Sequence, residues 1–500
     1  DGSQRLVFSP EARVLRGGVL GGPEVIMRWD EATATQAVYL YTQLAQNYSG
    51  DARAFFDDIR HPSNQVDPAT RDTLRIGTID LGGGTTDLVI TQIAAEGRGA
   101  HVTLMPEQLF REGFTLAGDD ALQRVVREHV IETLRQALRQ SGLGDSADYV
   151  LTHLVGGDRG NMTAIEQVRR QQFAAQIAAP IALGMLQEYE AYDPLHPQPV
   201  TTRAFDEFFD ADSRPADELV RHFNTEIEKL GRKPFDLRQL SFSIDLTDID
   251  RTVRSVFLEM LQALAEMVSR FRCDVLILSG RTSRLSAVRS ILLESCPLPP
   301  HRVISLHQFR VGQWYPFRDF RATVGDPKTT AAVGAMICLL GDGRLHNFNF
   351  RSDRLEPRST ARYFGKLDLG SRLLTADEFY DDLNLDDPEY PLKDKSFEFR
   401  GPMALGFRQL PVDWWPASRL YMIDYATPDA ARELSANTPL KIALRLTRSA
   451  TRGAAPDGFA IDRIEDREGR RVNNSKLRLR LQTVSHQQGY WLDTGVLFER

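Results

Sequence analysis

The sequence predicts an α/β fold followed by a β-rich C-terminal domain, and three observations carry that expectation. Asp80-Leu81-Gly82-Gly83-Gly84-Thr85-Thr86-Asp87 lies between two apolar runs of strand character. From Gly118 to Leu340, segments of helical period alternate with short apolar runs that read as buried strands. Beyond about residue 345 the pattern changes to a period of two, as in Ser396-Phe397-Glu398-Phe399, which suits half-exposed antiparallel strands.

Taken in order, residues 1 to about 24 are Gly-rich and read as an edge segment or the tail of something upstream. Val25 to Met27 reads as a strand leading into a helix of small residues through Glu31, Ala34, Ala37 and Leu40. A polar stretch from Asp51 to Asp72 separates this from a strand over Leu74 to Asp80, which resumes at Asp87-Leu88-Val89-Ile90; the glycines therefore occupy a hairpin turn. Gly118-Asp119-Asp120 opens a helix with Leu122, Val125, Val126, Val130, Leu134 and Leu138 on one face. Tyr149 to Val155 is predicted as a strand, about 162 to 192 as helical, and 193 to 240, rich in Pro and Phe, as a surface insertion. A helix with Val253, Phe257, Met260, Leu261, Leu264 and Val268 on one face feeds a strand over Val275 to Leu278. That strand runs into Ser279-Gly280-Arg281-Thr282-Ser283-Arg284 and a helix through Val288, Ile291 and Leu292. A small-residue helix, Thr329 to Leu340, follows. The strands expected after it include Lys441 to Leu446 and Lys476 to Leu481. The expected domains are residues 1–112, 113–344 and 345–500.

Bulk properties narrow the function. A hydrophobic content of 42% supports packed cores, and a net charge of −7 with interspersed signs argues against nucleic acid or an anionic membrane as main partner. Cys273, Cys296 and Cys338 stand in apolar contexts without zinc or disulfide spacing, which fits a reducing compartment. The longest apolar stretch, Phe173 to Leu186, is too short to span a bilayer.

The residues with the clearest chemistry are those of the glycine run. Gly82, Gly83 and Gly84 allow a tight turn that brings backbone N–H groups to phosphate oxygens, and Thr85 and Thr86 have hydroxyls to donate to the same anion. Asp80, just before the loop, would hold Mg²⁺ through water or orient an attacking water. His153-Leu154-Val155-Gly156-Gly157 reads as a strand ending in a turn, and Trp414-Trp415 as packing beneath a loop rather than an exposed patch.

This loop resembles the second phosphate motif of the actin, Hsp70 and sugar-kinase superfamily, and further segments follow in that superfamily's order. Glu31-Ala32-Thr33-Ala34 with Tyr39 is similar to the first connecting motif, and Phe114 to Asp120 to the segment opening the second lobe. Leu278-Ser279-Gly280-Arg281-Thr282-Ser283-Arg284-Leu285 resembles the adenosine motif, and Asp326-Pro327 with Ala331 to Ala335 the second connecting helix. The resemblance covers residues 25 to 340 and implies an actin-like (ribonuclease H-like) two-lobed ATPase core that binds ATP or ADP with Mg²⁺. By implication Glu31 would lie beside the γ-phosphate, Gly280 would admit the adenosine, and Arg284 would stack on adenine, the alternative being an exposed helix-start arginine. Gly334 and Ala34 would let the two connecting helices cross closely at a hinge.

Two departures matter. Arg281 replaces the second glycine of the adenosine motif, so it would obstruct the nucleotide or contact it differently. No strand ending in an Asp-Leu-Gly-Thr type loop precedes Glu31, so the first phosphate motif and its lysine are expected in an N-terminal portion of the same protein. A permuted substitute at Leu367-Asp368-Leu369-Gly370-Ser371 reads better as a plain turn. With the adenosine variant and the β-rich tail, the chain is identified as similar to the C-terminal half of the SrfB family of bacterial virulence factors. That implies a bacterial protein, read here as cytoplasmic with export left open.

The leading expectation is a nucleotide-dependent conformational switch with slow hydrolysis and an unidentified protein partner. A non-enzymatic interaction or filament-forming scaffold, and a phosphotransferase of the sugar-kinase branch, are the alternatives.

Overall fold

The computed structural model describes residues 29–67, 70–97, 102–157, 163–231, 234–355, 359, 361–368, 372–385, 387, 389–415, 417–435, 437–448, 456–481 and 490–497. The expected edge segment and the strand over Val25 to Met27 lie outside them, as do residues 369–371 of the turn at Leu367.

Helix α1 (Glu31–Tyr41) starts at Asp30, whose carboxylate accepts the Thr33 amide at 2.6 Å and so caps the first turn. The polar stretch after it folds into two short helices, α2 (Ala52–Ile59) and α3 (Pro62–Val66), because Phe55 and Phe56 supply a buried face. Strands β1 (Thr73–Leu81) and β2 (Thr86–Glu96) form the expected hairpin, with Asp80 opposite Asp87. Strand β3 (Thr103–Phe114), which the sequence reading did not single out, continues the meander.

Helix α4 (Gly118–Val125) runs through a π-helical turn into α5 (Ile131–Leu138), matching the expected long helix. Residues Ser146–Val155 form helix α6, a correction to the strand expected over Tyr149 to Val155. The run is too short for its apolar residues to reveal their period. Ala147, Val150, Leu151 and Leu154 are buried at helical spacing, and packing decides the outcome. Helices α7 (Ala164–Phe173) and α8 (Ala179–Tyr189) follow. The expected surface insertion is also corrected. It contains β4 (Thr201–Ala204) and α9 (Asp217–Gly231), and Phe205, Leu219, Phe223 and Ile227 join the main core.

Strand β5 (Ser241–Ile244) pairs with β4 and precedes α10 (Leu246–Arg270), β6 (Val275–Ser279), α11 (Ser286–Ser295), β7 (Val303–Ser305), α12 (Thr329–Leu340) and β8 (Asn349–Phe350). One six-stranded sheet has the order β7-β6-β1-β2-β3-β8. β7, β6 and β1 are parallel, and β1 to β3 antiparallel. The expected boundary at 112/113 therefore falls inside β3, with strands on either side of it in one sheet.

Both faces of that sheet are covered. Ile79, Leu88, Leu276 and Leu278 share a core with Leu122, Ile181, Leu261 and Ile291 from α4, α8, α10 and α11. Leu74, Ile76, Val275 and Ile277 face the other way, against Val38 of α1, Phe55 of α2, and Val333 and Ile337 of α12. Burial on both sides explains why β6 reads as a continuous apolar run. Helices α1 and α12 meet at Gly334, where a Cβ would drive into the Ala34 carbonyl, so the expected close crossing is present.

The C-terminal part is the expected β-rich unit. Strands β9 (Tyr363–Lys366), β10 (Glu378–Tyr380), β11 (Ser396–Phe399), β12 (Met403–Arg408) and β13 (Ser418–Tyr425) precede helix α13 (Pro428–Ser435). Strands β14 (Leu440–Arg448), β15 (Pro456–Glu465), β16 (Arg471–Val472) and β17 (Leu477–Leu481) follow it. They make a sheet of order β10-β9-β12-β13-β17 and another of order β11-β14-β15-β16 around one core, where Phe364 stacks on Phe459 at 4.6 Å. Trp415 is fully buried and packs on Phe110 of β3. Trp414 stands half exposed, so the expected packing of the pair holds for one of its rings. A last helix, α14 (Trp491–Thr494), lies against α7.

Candidate functional site

The glycine loop sits at the end of β1, where the parallel strands β1, β6 and β7 also end. Its base is closed by the Gly82 N–H donating to the Thr85 carbonyl at 2.9 Å. The Gly82 carbonyl accepts from the Gly118 amide at 3.1 Å and from the Thr282 hydroxyl at 2.8 Å, while the Gly83 carbonyl accepts from the Asp119 amide at 2.7 Å. The first amides of α4 are thus committed to the loop, which fixes its position against the helix. Gly83 and Gly84 remain exposed, and a Cβ at Gly84 would meet nothing within 4 Å.

Carboxyl groups gather beside this opening. Asp80 is buried, beside its register partner Ser279 and within reach of the Glu31 carboxyl. Burial, then the neighbouring Glu31 and Asp87 charges, pushes its carboxyl up to about 7. Asp87 is likewise raised by burial and opposed by Arg111. Arg111 pairs with Asp30 at 2.5 Å, and the Thr85 hydroxyl donates to Asp87 at 3.4 Å. Glu31 opens α1 exposed to solvent, one residue past the capping Asp30. A buried acid near neutrality beside an exposed one is an arrangement able to exchange a proton or to favour a cation.

The turn after β6 completes the site. Gly280 has φ +77°, and a Cβ there would enter the Leu81 carbonyl and stand 2.8 Å from Asp80 Oδ1. Glycine is required at this close approach. Among the described residues no group of three or more His, Cys, Asp or Glu is arranged to ligate a metal directly. An ion held by Asp80 would therefore keep most of its water shell, the manner in which Mg²⁺ beside phosphates is usually bound.

A family model described as Virulence factor SrfB matches residues 16–498. The chain belongs to the SrfB family. No curated protein matches it. Among the described residues of this SrfB chain no helix is long and apolar enough to cross a membrane.

Within the SrfB chain, Asp80, Glu31, Gly82, Gly83, Gly84, Thr85 and Gly280 come together around the opening. Thr86 does not offer its hydroxyl there, a correction to the expected phosphate contact. It is buried and donates to the Leu116 carbonyl at 2.8 Å, because strand alternation turns it inward beside Leu81. Arg281 is exposed. Arg284 forms an ion pair with Glu190 at 2.7 Å rather than presenting a free guanidinium, so stacking on a base would require it to keep or exchange that partner. Sequence reading missed Asp87 as a member of the carboxyl group, although it closes the motif itself. It also missed Asp30, Arg111, Ser279, Thr282 and Asp119, which reach the loop only through tertiary packing.

Proposed function

We propose that this chain binds a phosphate-bearing nucleotide with Mg²⁺ at the Gly82–Thr85 loop and uses it as a conformational switch of slow turnover. The observation that carries the reading is an open, anchored glycine loop beside the Asp80 and Glu31 carboxyls, with Glu31 opening the helix α1 that crosses α12 at Ala34. The exposed glycines leave room for phosphate oxygens near backbone amides. Asp80 would hold the hydrated ion, and the ion would supply charge neutralisation on the phosphates. Glu31, exposed and beside Asp80, would position water and take its proton. Thr85 would add a hydroxyl, and Gly280 would keep the far wall close to Asp80. Arg284, with Glu190, would flank the base. The remaining phosphate contacts are assigned, in this reading, to an N-terminal portion of the same protein. Association with virulence is proposed from the family description, through a protein partner that senses the switch.

Calorimetric titration of ATP with Mg²⁺ tests the reading. Saturable binding by the chain or a form extended at its N-terminus, weakened at least tenfold by Asp80→Ala, supports it. Equal binding by Asp80→Ala, or no heat in either form, sinks it and favours the interaction scaffold.

A further inference from the structure

The C-terminal β unit has a strand edge that the chain begins to cover and then leaves. Strand β11 pairs with the first half of β14, from Phe399 opposite Leu440 to Ser396 opposite Ala443. Carried on in register, Lys395, Asp394 and Lys393 would face Leu444, Arg445 and Leu446. Instead the Lys395 amide donates to the Lys393 carbonyl at 2.9 Å, a tight turn that takes the chain off the ladder. Lys393 and Lys395 are held to Asp381 at 3.6 and 3.4 Å, and Asp394 to Arg463 of β15 at 3.3 Å. Pro391, just before them, has no N–H with which to resume the pairing. The result is a cleft of about 380 Å³ between residues 390–394 and β14, in the size range of ligand sites.

Backbone and charge describe what fits there. Among the described residues no strand pairs with Leu444, Arg445 or Leu446 on the cleft side, and no loop backbone hydrogen bond reaches them. Alternate residues of an antiparallel strand turn N–H and C=O to opposite sides, so this stretch directs backbone donors and acceptors into the cleft. An extended peptide satisfies such groups by adding as a further strand. On its other side β14 sets Arg445 opposite Ala460, and among the described residues Arg445 has no ion-pair partner. Arg445 is exposed, and a directly opposed residue on an added strand would stand about 5 Å from it. The far wall has the opposite charge. A bulge in β15 leaves Asp462 without a register partner beside Arg463, whose guanidinium is already occupied by Asp394 and Glu465.

We propose that this cleft takes an extended segment of another protein, which adds to β14 along residues 444–446 and sets one acidic side chain beside Arg445. Asp462 at the far wall favours a single acid over an acidic run. The site lies in the C-terminal unit and its test uses no nucleotide, so it stands or falls apart from the reading of the glycine loop.

Selection of phage-displayed random heptapeptides on the whole chain tests this, followed by synthesis of the enriched peptide, its titration by fluorescence anisotropy and hydrogen exchange of the bound chain. Enriched sequences should carry one Asp or Glu among β-branched residues. The bound peptide should slow amide exchange several-fold within residues 444–447. Arg445→Glu should weaken it at least tenfold and bind instead the same peptide with Lys in place of the acid; the exposed position of Arg445 lets this substitution leave the fold intact. No enrichment, equal binding by Arg445→Glu, or protection confined to other segments overturns the proposal. Self-association of the free chain that Arg445→Glu abolishes also overturns it, by placing a second copy in the cleft.

Discussion

Glu112 offers the sharpest test of how the C-terminal domain is joined to the first sheet. It lies on β3, almost wholly buried, where the Trp415 indole N–H donates to one carboxyl oxygen at 3.3 Å and the Ser418 hydroxyl to the other at 3.0 Å. Burial pushes this carboxyl from 4.5 up to about 7, against the opposing pull of those two donors and the Gly113 amide. Each pH unit between these values is worth about 1.4 kcal/mol of differential proton binding, so holding Glu112 ionised in the folded chain costs about 3 kcal/mol. The folded value lies above the unfolded one. The stability associated with the neutral carboxyl is therefore fully present below pH 4.5 and lost as pH rises through about 7. Glu112→Gln keeps a neutral acceptor of the same shape. It should match the unaltered chain below pH 4.5 and exceed it by about 3 kcal/mol above pH 8, a large part of the 5–15 kcal/mol typical of a domain. Urea denaturation of both forms at several pH values measures the difference, and groups such as Asp80 cancel in the comparison. Parallel pH curves for the two forms would refute the argument.

Further expectations follow from backbone approach and from the strap at the chain's C-terminal end. Gly334→Ala would gain about 1 kcal/mol of helix propensity in an open site, but its Cβ meets the Ala34 backbone. A net loss of at least ~1 kcal/mol in thermal unfolding is expected, by the usual cost of overpacking. Gly280→Ala combines a left-handed φ with collision at Leu81; a loss of about 2–5 kcal/mol, together with a displaced Asp80 titration in carboxyl NMR, is expected. The Tyr490 hydroxyl donates to Asp119 at 2.8 Å, and Asp119 in turn holds the Gly83 carbonyl. Tyr490→Phe should cost about 1 kcal/mol and speed amide exchange across residues 82–85, whereas unchanged exchange would show that the strap does not steady the loop.

Much of the site's local chemistry was legible in the motif itself. Three glycines between apolar runs require a tight hairpin, and a carboxyl at the strand end follows from the same residues. The failures have physical causes. Thr86 was expected to point at phosphate, but a hairpin of this register turns it inward. Arg284 was read as free because its partner Glu190 lies far away in sequence. The strand expected over Tyr149 to Val155 became a helix because a short apolar run has no period of its own until neighbouring helices bury one side of it.

Local pattern by itself determined the helices with clear periodicity, the β-hairpin, the small-residue helix Thr329–Leu340 and the β character after residue 345. These are properties of residues near one another in sequence; the close crossing at Ala34 and Gly334 was expected from the resemblance to the superfamily's connecting helices, not from local pattern. Tertiary structure alone decided which strands share the sheet, how Asp80 meets Ser279 and Glu31, and where Trp415 closes over Glu112. Burial and hydrogen-bond direction depend on groups separated by tens to hundreds of residues, and no local pattern encodes who those neighbours will be.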